Sequence, residues 1–159
     1  MRITIYCIGK IKEAYLTSAI KEYEKRLSGY AKIEIVEFPD VPIPEKASPA
    51  IEEEVKRKES ARVLAKVKEG EYLIGLDLNK KEPTSPEFAS LLDAALIKGG
   101  SSVSFTIGGS LGLSDELKKR CDDFVCFGKM TYPHQLMRVM LLEQIYRAFK
   151  ILRGEPYHK

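Results

Sequence analysis

Residues 102–128 decide the fold, and they read SVSFTIGGSLGLSDELKKRCDDFVCFG. Ser102–Ile107 is rich in β-branched and aromatic residues and predicts a strand, which ends in the glycine turn Gly108–Gly112. Ser114 is a typical N-cap for the short charged helix that follows. Asp123–Gly128 is a second apolar run that ends in glycine and predicts another strand. The succession of strand, helix and strand is typical of an α/β fold.

The same alternation continues on both sides of this segment. Apolar and polar patterning predicts three earlier strands, which are Arg2–Ile8, Lys32–Phe38 and Tyr72–Leu78. The other predicted helices are Glu13–Leu27, a charged helix from the cap signal Ser48-Pro49 to about Gly70, a helix from the cap signal Ser85-Pro86 to Gly99-Gly100, and a last helix from Pro133 to about Leu152. We therefore expect a single α/β domain over residues 1–159, with a mostly parallel sheet and flanking helices.

Two of these helices carry specific expectations about their surfaces. The apolar face of the first helix comprises Tyr15, Leu16, Ala19, Ile20, Tyr23 and Leu27. In the charged helix, acids and bases nearly balance over Ala50–Lys68. We expect that helix to present a solvated face rather than an RNA site.

The composition is that of an ordinary globular protein, with 44% apolar and 31% charged residues among 159. No apolar run approaches the length of a membrane-spanning helix, and Met1–Lys12 is too short and too charged for a signal peptide. We therefore expect a cytoplasmic protein that does not engage a membrane. The three cysteines, Cys7, Cys121 and Cys126, form no Cys-x-x-Cys pair, which favours free buried thiols over a metal site or disulfides.

Positive charge is concentrated at the C-terminal end. The formal net charge of +3 is too small to indicate a nucleic-acid partner by itself. From Lys129 to Lys159, however, six cations stand against only Glu143 and Glu155. This local excess predicts that an anionic partner meets this end of the molecule.

Glycines follow three predicted strands, where open α/β sheets bind ligands. The three strand ends are Gly75-Leu76-Asp77-Leu78, Ile107-Gly108-Gly109-Ser110 and Phe127-Gly128-Lys129-Met130-Thr131. A single glycine most often only turns the chain, but three such ends favour a ligand that approaches the backbone closely. No strand is followed by Gly-x-Gly-x-x-Gly or Gly-Lys-Ser/Thr, which disfavours dinucleotide and P-loop sites. An adenosyl group held by loops and apolar side chains fits this pattern.

The last predicted helix is apolar on nearly every side. Its apolar residues are Leu136, Met137, Val139, Met140, Leu141, Leu142, Ile145, Tyr146, Ala148, Phe149, Ile151 and Leu152. Such a helix must be covered on more than one side. In so small a domain we expect the second cover to be another copy of the protein rather than its own core.

Few polar residues interrupt that helix. Glu143, Arg147 and Lys150 share one face, as either a stabilising helix pair or a carboxylate that orients an arginine towards a phosphate or a reacting base. The terminal Tyr157-His158-Lys159 combines groups that bind phosphate and stack on bases. His134, at the helix start, is more typical of a capping or packing residue than of a catalyst.

Several of these segments together resemble one family. Ile107-Gly108-Gly109-Ser110-x-Gly112-Leu113, Lys129-Met130-Thr131-Tyr132-Pro133-His134-Gln135-x-x-Arg138, Glu143-Gln144-x-Tyr146-Arg147-Ala148 and Tyr157-His158-Lys159 are similar to the ribosomal RNA large subunit methyltransferase H family. That family belongs to the SPOUT class of knotted methyltransferases. The resemblance extends over the whole chain, including Ile3–Lys12 and Glu22–Leu27.

The resemblance implies a fold, a donor and a reaction. It implies a SPOUT-type α/β domain with a C-terminal trefoil knot, a homodimer, S-adenosylmethionine as methyl donor, and N3-methylation of a pseudouridine in 23S rRNA on assembled ribosomes. The implied donor-binding residues are Leu76, Gly108, Phe127, Gly128, Lys129, Met130, Thr131 and Tyr132. The catalytic residues that we infer are Arg147, His158, Lys159 and Glu143. No metal is expected, because direct displacement from a sulfonium requires none.

Three other functions remain open at this point. The chain could be a ribosome-binding or assembly protein without catalysis, or an α/β enzyme that acts on a small molecule. It could also be a knotted methyltransferase that acts on a different nucleotide, since only the family specifies pseudouridine. Donor affinity, salt dependence of binding and mass mapping of rRNA distinguish these functions.

Overall fold

The computed structural model describes all 159 residues, and its centre is a five-stranded sheet. The strands are β1 (Arg2–Ile8), β2 (Lys32–Phe38), β3 (Leu73–Leu76), β4 (Ser102–Ile107) and β5 (Asp123–Val125). All neighbouring strands run parallel, in the order β2-β1-β4-β3-β5. The predicted α/β class with flanking helices is confirmed, and the sheet is parallel throughout.

Five helices connect and cover the strands. They are α1 (Ala14–Leu27), α2 (Pro49–Lys66), α3 (Ser85–Lys98), α4 (Asp115–Arg120) and α5 (His134–Leu152). Ser48 and Ser114 cap α2 and α4, as predicted, because their hydroxyls accept hydrogen bonds from backbone N–H groups. The predicted cap at Ser85 is wrong. Thr84 caps α3 instead, since its spacing from Glu87 closes a capping box in which each side chain bonds to the other residue's backbone N–H.

Two strands are shorter than the apolar runs that predicted them. The runs Tyr72–Leu78 and Asp123–Gly128 overestimate β3 and β5, because the chain leaves the ladder where the loops begin. The N–H of Cys126, for example, donates to the Lys81 carbonyl at 3.0 Å instead of to a strand neighbour. The predicted burial of Tyr15 is also wrong. It lies in the first turn of α1, beyond the end of β1, and its side chain is 71% exposed.

Helices cover both faces of the sheet. Ile3, Ile5 and Cys7 of β1 point into the larger core, to which α1, α3 and α5 contribute. Tyr6 and Ile8 point to the opposite face, where they pack with residues of α2 and α4. This alternation follows from the two-residue period of a strand and explains why apolar residues are nearly continuous in β1.

The predicted free cysteines are confirmed. Cys7 and Cys126 are buried, whereas Cys121 is only half-buried. Burial raises the pKa of the Cys7 and Cys121 thiols to about 12, so both stay protonated at neutral pH. They therefore act as small apolar side chains rather than as nucleophiles.

One face of α2 contradicts the expectation of a merely solvated helix. Glu59 and Ser60 are 4% and 3% exposed. The Glu59 carboxylate accepts a hydrogen bond from the N–H of Val41 at 3.1 Å, and the Ser60 hydroxyl accepts one from the N–H of Ser114 at 3.0 Å. The charge balance concealed this role, because it does not reveal which residues face inward. The remaining side of α2 carries exposed ion pairs.

None of the five helices combines the length and the apolar composition that a membrane-spanning helix requires.

A buried arginine fastens the start of α5 to the carboxyl ends of two strands. Arg138 is 1% exposed and donates to the carbonyl oxygens of Ile8 and Gly9 at 3.1 and 2.7 Å. Its other terminal nitrogen donates to the Glu37 carboxylate at 2.7 Å. Charge-assisted bonds of this kind fix geometry strongly when they are buried. Arg138 thus sets where α5 begins.

The segment between β5 and α5 crosses the carboxyl edge of the sheet. β5 is an edge strand beside β3, whereas α5 packs between α1 and α3. The connecting residues 126–133 must therefore pass the loop that follows β3. At the start of this crossing the Cys126 thiol lies 3.2 Å from the Leu78 carbonyl oxygen. The crossing brings this connection to the same edge as the turn after β4.

Candidate functional site

Three loops at the carboxyl edge of the sheet enclose a cleft of about 630 Å³. They follow β3, β4 and β5, and their lining residues lie within 76–79, 107–113 and 125–134. Eleven of the 23 lining residues are hydrophobic, and four of the others are glycines. A ligand in this cleft would be held by apolar contact and by backbone groups. This is the edge at which the glycine-containing strand ends predicted a ligand site.

The turn after β4 requires glycine for a steric reason. A Cβ atom at Gly108 would lie 2.6 Å from the carbonyl carbon of Gly112 and 2.8 Å from its oxygen. The turn is closed by a 3.0 Å hydrogen bond from the N–H of Gly112 to the carbonyl of Gly109. Gly112 also has a φ of +85°, which favours glycine. The folded turn leaves backbone on the cleft surface, where a flat ligand can approach it.

Seven of the eight predicted donor-binding residues line this cleft. They are Leu76, Gly108, Phe127, Gly128, Met130, Thr131 and Tyr132. Lys129 does not line it, although its two neighbours do, and it is exposed. A positive φ of 109° at Gly128 turns the chain immediately before Lys129. The structure thus brings together residues that are far apart in the sequence. Leu76 and Tyr132, for example, are 56 positions apart.

Sequence reasoning missed several side chains of the cleft. Lys118 of α4 pairs with Asp77 across the cleft wall at 3.4 Å, and Lys56 enters from α2. His134 and Met137 enter from the first turn of α5. Spacing alone could not associate these residues, because they belong to four different segments. The sequence feature that could have indicated one of these residues was the position of Asp77 directly after a glycine-containing strand.

His134 packs between the cleft and the loop after β1, as its predicted packing role requires. A Cβ atom placed at Gly9 would lie 3.0 Å from the Cε1 atom of His134. The His134 side chain makes no capping hydrogen bond to α5. Its Nδ1 atom is buried and has no hydrogen-bond partner. Burial, assisted by the charge of Arg138, lowers the pKa of His134 below its usual 6.5. The folded protein therefore holds this ring neutral near physiological pH.

This lowered pKa predicts a loss of stability in mild acid. Below about pH 6.5 the unfolded chain binds a proton at His134 that the folded chain still excludes, so the free energy of unfolding falls as the pH decreases. His134→Gln cannot titrate and should lose less stability between about pH 7.5 and 5.5. Urea unfolding of both proteins across this range measures the difference. Equal pH slopes would show that His134 does not contribute.

The predicted catalytic residues on α5 meet the C-terminal tail. Arg147 forms a fork on Glu143, with distances of 2.6 and 3.1 Å from its nitrogens to the Glu143 Oε1 atom. The Tyr157 hydroxyl donates to the same oxygen at 3.1 Å, and the Arg147 guanidinium lies 4.6 Å from the centre of the Tyr157 ring. His158 Nδ1 is 3.4 Å from Arg147 Nη1. The pair predicted from spacing is present, and the tail adds two groups to it.

Electrostatics in this cluster keep its donors protonated. The hydrogen bond to Glu143 raises the pKa of Arg147, which stays cationic. Burial, together with the bond to Glu143, raises the pKa of the Tyr157 hydroxyl above its usual value of 10.0. Glu143 thus accepts from a guanidinium and a phenol at once. A carboxylate with these partners holds Arg147 in one orientation rather than acting as a free base.

A second set of contacts anchors the tail. Glu155 accepts hydrogen bonds from Lys150 and from the Tyr30 hydroxyl, both at 2.6 Å. These two donors lower the pKa of Glu155. The Tyr157 ring packs edge-on against Tyr146, with 4.9 Å between ring centres. The tail is therefore ordered up to His158, whereas Lys159 is exposed and makes no side-chain contact of this kind.

A second groove, of about 550 Å³, joins the two regions. It shares Cys126, Phe127 and Gly128 with the first cleft and reaches Glu143 and Gln144 on α5. The wall formed by 126–128 thus has the cleft on one side and the groove on the other. Of the predicted catalytic residues, Glu143 lines this groove, whereas Arg147, His158 and Lys159 do not.

The outer side of α5 is only partly covered. Leu136 and Met140 are half-buried and belong to the helix that was predicted to need a second cover. Leu152 at its end is 41% exposed, and Met130 at the cleft mouth is 69% exposed. Such a surface is compatible with the predicted homodimer, which stays a prediction.

Comparison with known proteins identifies the class to which this fold and cleft belong. A family model described as predicted SPOUT methyltransferase matches residues 1–158. The chain therefore belongs to the SPOUT methyltransferase family, which implies the trefoil knot of its C-terminal half, and it is a methyltransferase that uses a methyl donor.

Individual relatives can be compared with the chain over its full length. The chain is 55% identical to Ribosomal RNA large subunit methyltransferase H of Carboxydothermus hydrogenoformans and 54% identical to the protein of that name from Lactobacillus delbrueckii subsp. bulgaricus. It is 52% identical to Ribosomal RNA large subunit methyltransferase H 1 of Clostridium perfringens. Each alignment spans 159 residues and covers 100% of both chains.

Proposed function

We propose that this protein transfers a methyl group from S-adenosylmethionine to N3 of a pseudouridine in 23S rRNA, on assembled ribosomes in the cytoplasm. The observation that carries the proposal is the glycine-turned cleft at the carboxyl edge of the sheet, which seven of the eight donor-binding residues implied by the resemblance line. The names of the full-length relatives supply the substrate class.

The cleft residues suit an adenosyl donor. The backbone of the Gly108 turn, which a Cβ would block, and the apolar side chains of Leu76 and Phe127 would hold the adenine and ribose. Bound there, S-adenosylmethionine would supply the methyl group from its sulfonium. Met130, Thr131 and Tyr132 would close the open side.

The reaction requires an imide nitrogen that has lost its proton. Arg147, held by Glu143, would place a fixed positive charge where the imide anion develops. His158 and Lys159 would add a base or a phosphate contact on the same side, since both are exposed at the end of the ordered tail. Displacement at the methyl carbon needs no nucleophile from the protein. These residues would therefore align the two reactants and stabilise the charge that develops on the imide.

The proposal includes a homodimer in which the tail of one subunit reaches the mouth of the donor cleft of the other. The half-buried apolar side of α5 supports this arrangement, because it offers a surface for a second copy. The cluster of Glu143, Arg147 and Tyr157 would then face the partner's methyl donor across the interface.

Methyl transfer from labelled S-adenosylmethionine tests the proposal. We expect label in the 23S rRNA of intact ribosomes, with Arg147→Ala reducing the rate by roughly 100- to 1000-fold. Arg153→Ala is the matched control, because it removes a cation six positions away outside the Glu143 cluster. Donor binding without transfer to any RNA would instead favour a ribosome-binding protein that lacks catalysis. Transfer to another nucleotide would keep the enzyme class and change the target.

A further inference from the structure

We propose that the loop after β1 and the first turn of α1 form an RNA-contact surface, in which Lys10 and Lys12 bind phosphates and the Tyr15 ring stacks on a base. This inference rests on the proposed function and extends it to a part of the substrate away from the methylated base. It concerns residues near the N-terminus of the sequence, whereas the excess of positive charge lies in the C-terminal part of the sequence. The loop 9–13 and Tyr15 are called the β1 loop surface below.

The β1 loop surface continues the edge on which the cleft opens. β1 lies beside β4 in the sheet, and both strands run in the same direction. The loop after β1 therefore emerges next to the Gly108 turn. A Cβ atom at its first residue, Gly9, would lie 3.0 Å from the ring of His134, which also lines the cleft. An RNA strand whose target base meets the methyl group of a donor bound in the cleft would pass this loop with its neighbouring nucleotides.

Hydrogen bonds fasten the backbone of this loop, although Lys10 and Lys12 are exposed. The N–H of Gly9 donates to the Phe38 carbonyl at 2.7 Å, and the Gly9 carbonyl accepts from Arg138 at 2.7 Å. The N–H of Ile11 donates to the Glu37 carboxylate at 3.3 Å. The backbone on both sides of Lys10 is thus fastened to β2 and α5. Rigid presentation lowers the entropy that binding would otherwise cost.

The two lysines of this loop and Tyr15 are exposed and without partners, whereas Ile11 packs against the core. Lys10 and Lys12 are exposed and form no ion pair within the chain. The Tyr15 side chain is 71% exposed and packs on no other aromatic ring. An isolated exposed aromatic is common, but one that follows two free cations by five and three positions offers the combination that binds single-stranded RNA by stacking and phosphate contact.

Salt dependence of ribosome binding tests the lysines. The K10A/K12A variant should bind ribosomes more weakly, and its slope of log affinity against log salt should be shallower by roughly 1.4 to 1.8, as expected when two phosphate contacts are lost. K21A/K25A is the matched control. It removes the same charge from two exposed lysines of α1 that lie farther from the cleft edge. Equal slopes for the two double variants would overturn the proposal.

The tyrosine requires a separate comparison. Tyr15→Ala should weaken ribosome binding by roughly 5- to 100-fold at fixed salt, whereas Tyr15→Phe should retain most of it, because stacking needs only the ring. In both tests KM for ribosomes should rise while kcat, donor affinity and thermal stability stay unchanged. An unchanged KM would overturn the role of Tyr15. Failure of the wild-type protein to methylate ribosomes would contradict the proposed function itself. The salt slopes would still show whether the β1 loop surface contacts RNA.

Discussion

Removal of Tyr157–Lys159 should abolish methyl transfer, with a loss of roughly 1000-fold or more, while S-adenosylmethionine still binds. The truncation removes the Tyr157 hydroxyl and the ring that packs against the Arg147 guanidinium. It also removes His158, which lies 3.4 Å from Arg147. Arg147 keeps its bonds to Glu143 but loses both contacts with the tail, and the base or phosphate contact that His158 and Lys159 would supply is lost. The cleft keeps all of its lining residues, so donor affinity should change little.

Single substitutions separate the parts of this effect. Tyr157→Phe keeps the ring over Arg147 but loses the hydrogen bond to Glu143, so we expect a smaller loss than in the truncation. The anchor formed by Glu155, Lys150 and Tyr30 precedes the deleted residues and should preserve the fold. Donor affinity by calorimetry and transfer rates on ribosomes measure the two consequences. A truncated protein with full transfer activity would refute the role of the tail.

Gly108→Ala should eliminate measurable donor binding, with an affinity loss on the order of 100-fold or more. The added Cβ would meet three backbone atoms of Gly112 between 2.6 and 2.9 Å, and backbone cannot rotate away as a flexible side chain can. The turn must open, which shifts the wall of the cleft and should cost about 1–3 kcal/mol of stability as overpacking does.

A second glycine provides the matched control for this prediction. Gly29→Ala adds the same methyl group where no atom lies within 4 Å, so stability and donor binding should both stay near their wild-type values. Calorimetric titration with S-adenosylmethionine and thermal unfolding check the pair. Normal donor affinity in Gly108→Ala would show that the turn after β4 does not hold the donor.

The strands were predictable where the sheet alone determines the pattern. The bounds of β1, β2 and β4 agree with the sequence prediction, because each keeps its periodicity or apolar run up to the glycine or proline that ends it. β3 and β5 were predicted too long, since apolar residues continue into loops that line the cleft. There the side chains face the cleft, and the apolar pattern no longer indicates strand pairing.

The site was only partly predictable for a related reason. Glu143 and Arg147 are four residues apart on one helix, so their contact follows from helix geometry. The contact of Tyr157 with Glu143 depends on how the chain turns after α5, which no periodicity specifies. The buried side of α2 was missed because Glu59 and Ser60 occur in a highly charged sequence. The knot and the pseudouridine target came only from the family resemblance.

Mass mapping of 23S rRNA from a strain that lacks this gene tests the central claim most directly. We predict that one pseudouridine loses its methyl group, that a wild-type copy restores it, and that a copy without Tyr157–Lys159 does not. A 23S rRNA whose methylation is unchanged by the deletion would contradict the assignment of this protein as its methyltransferase.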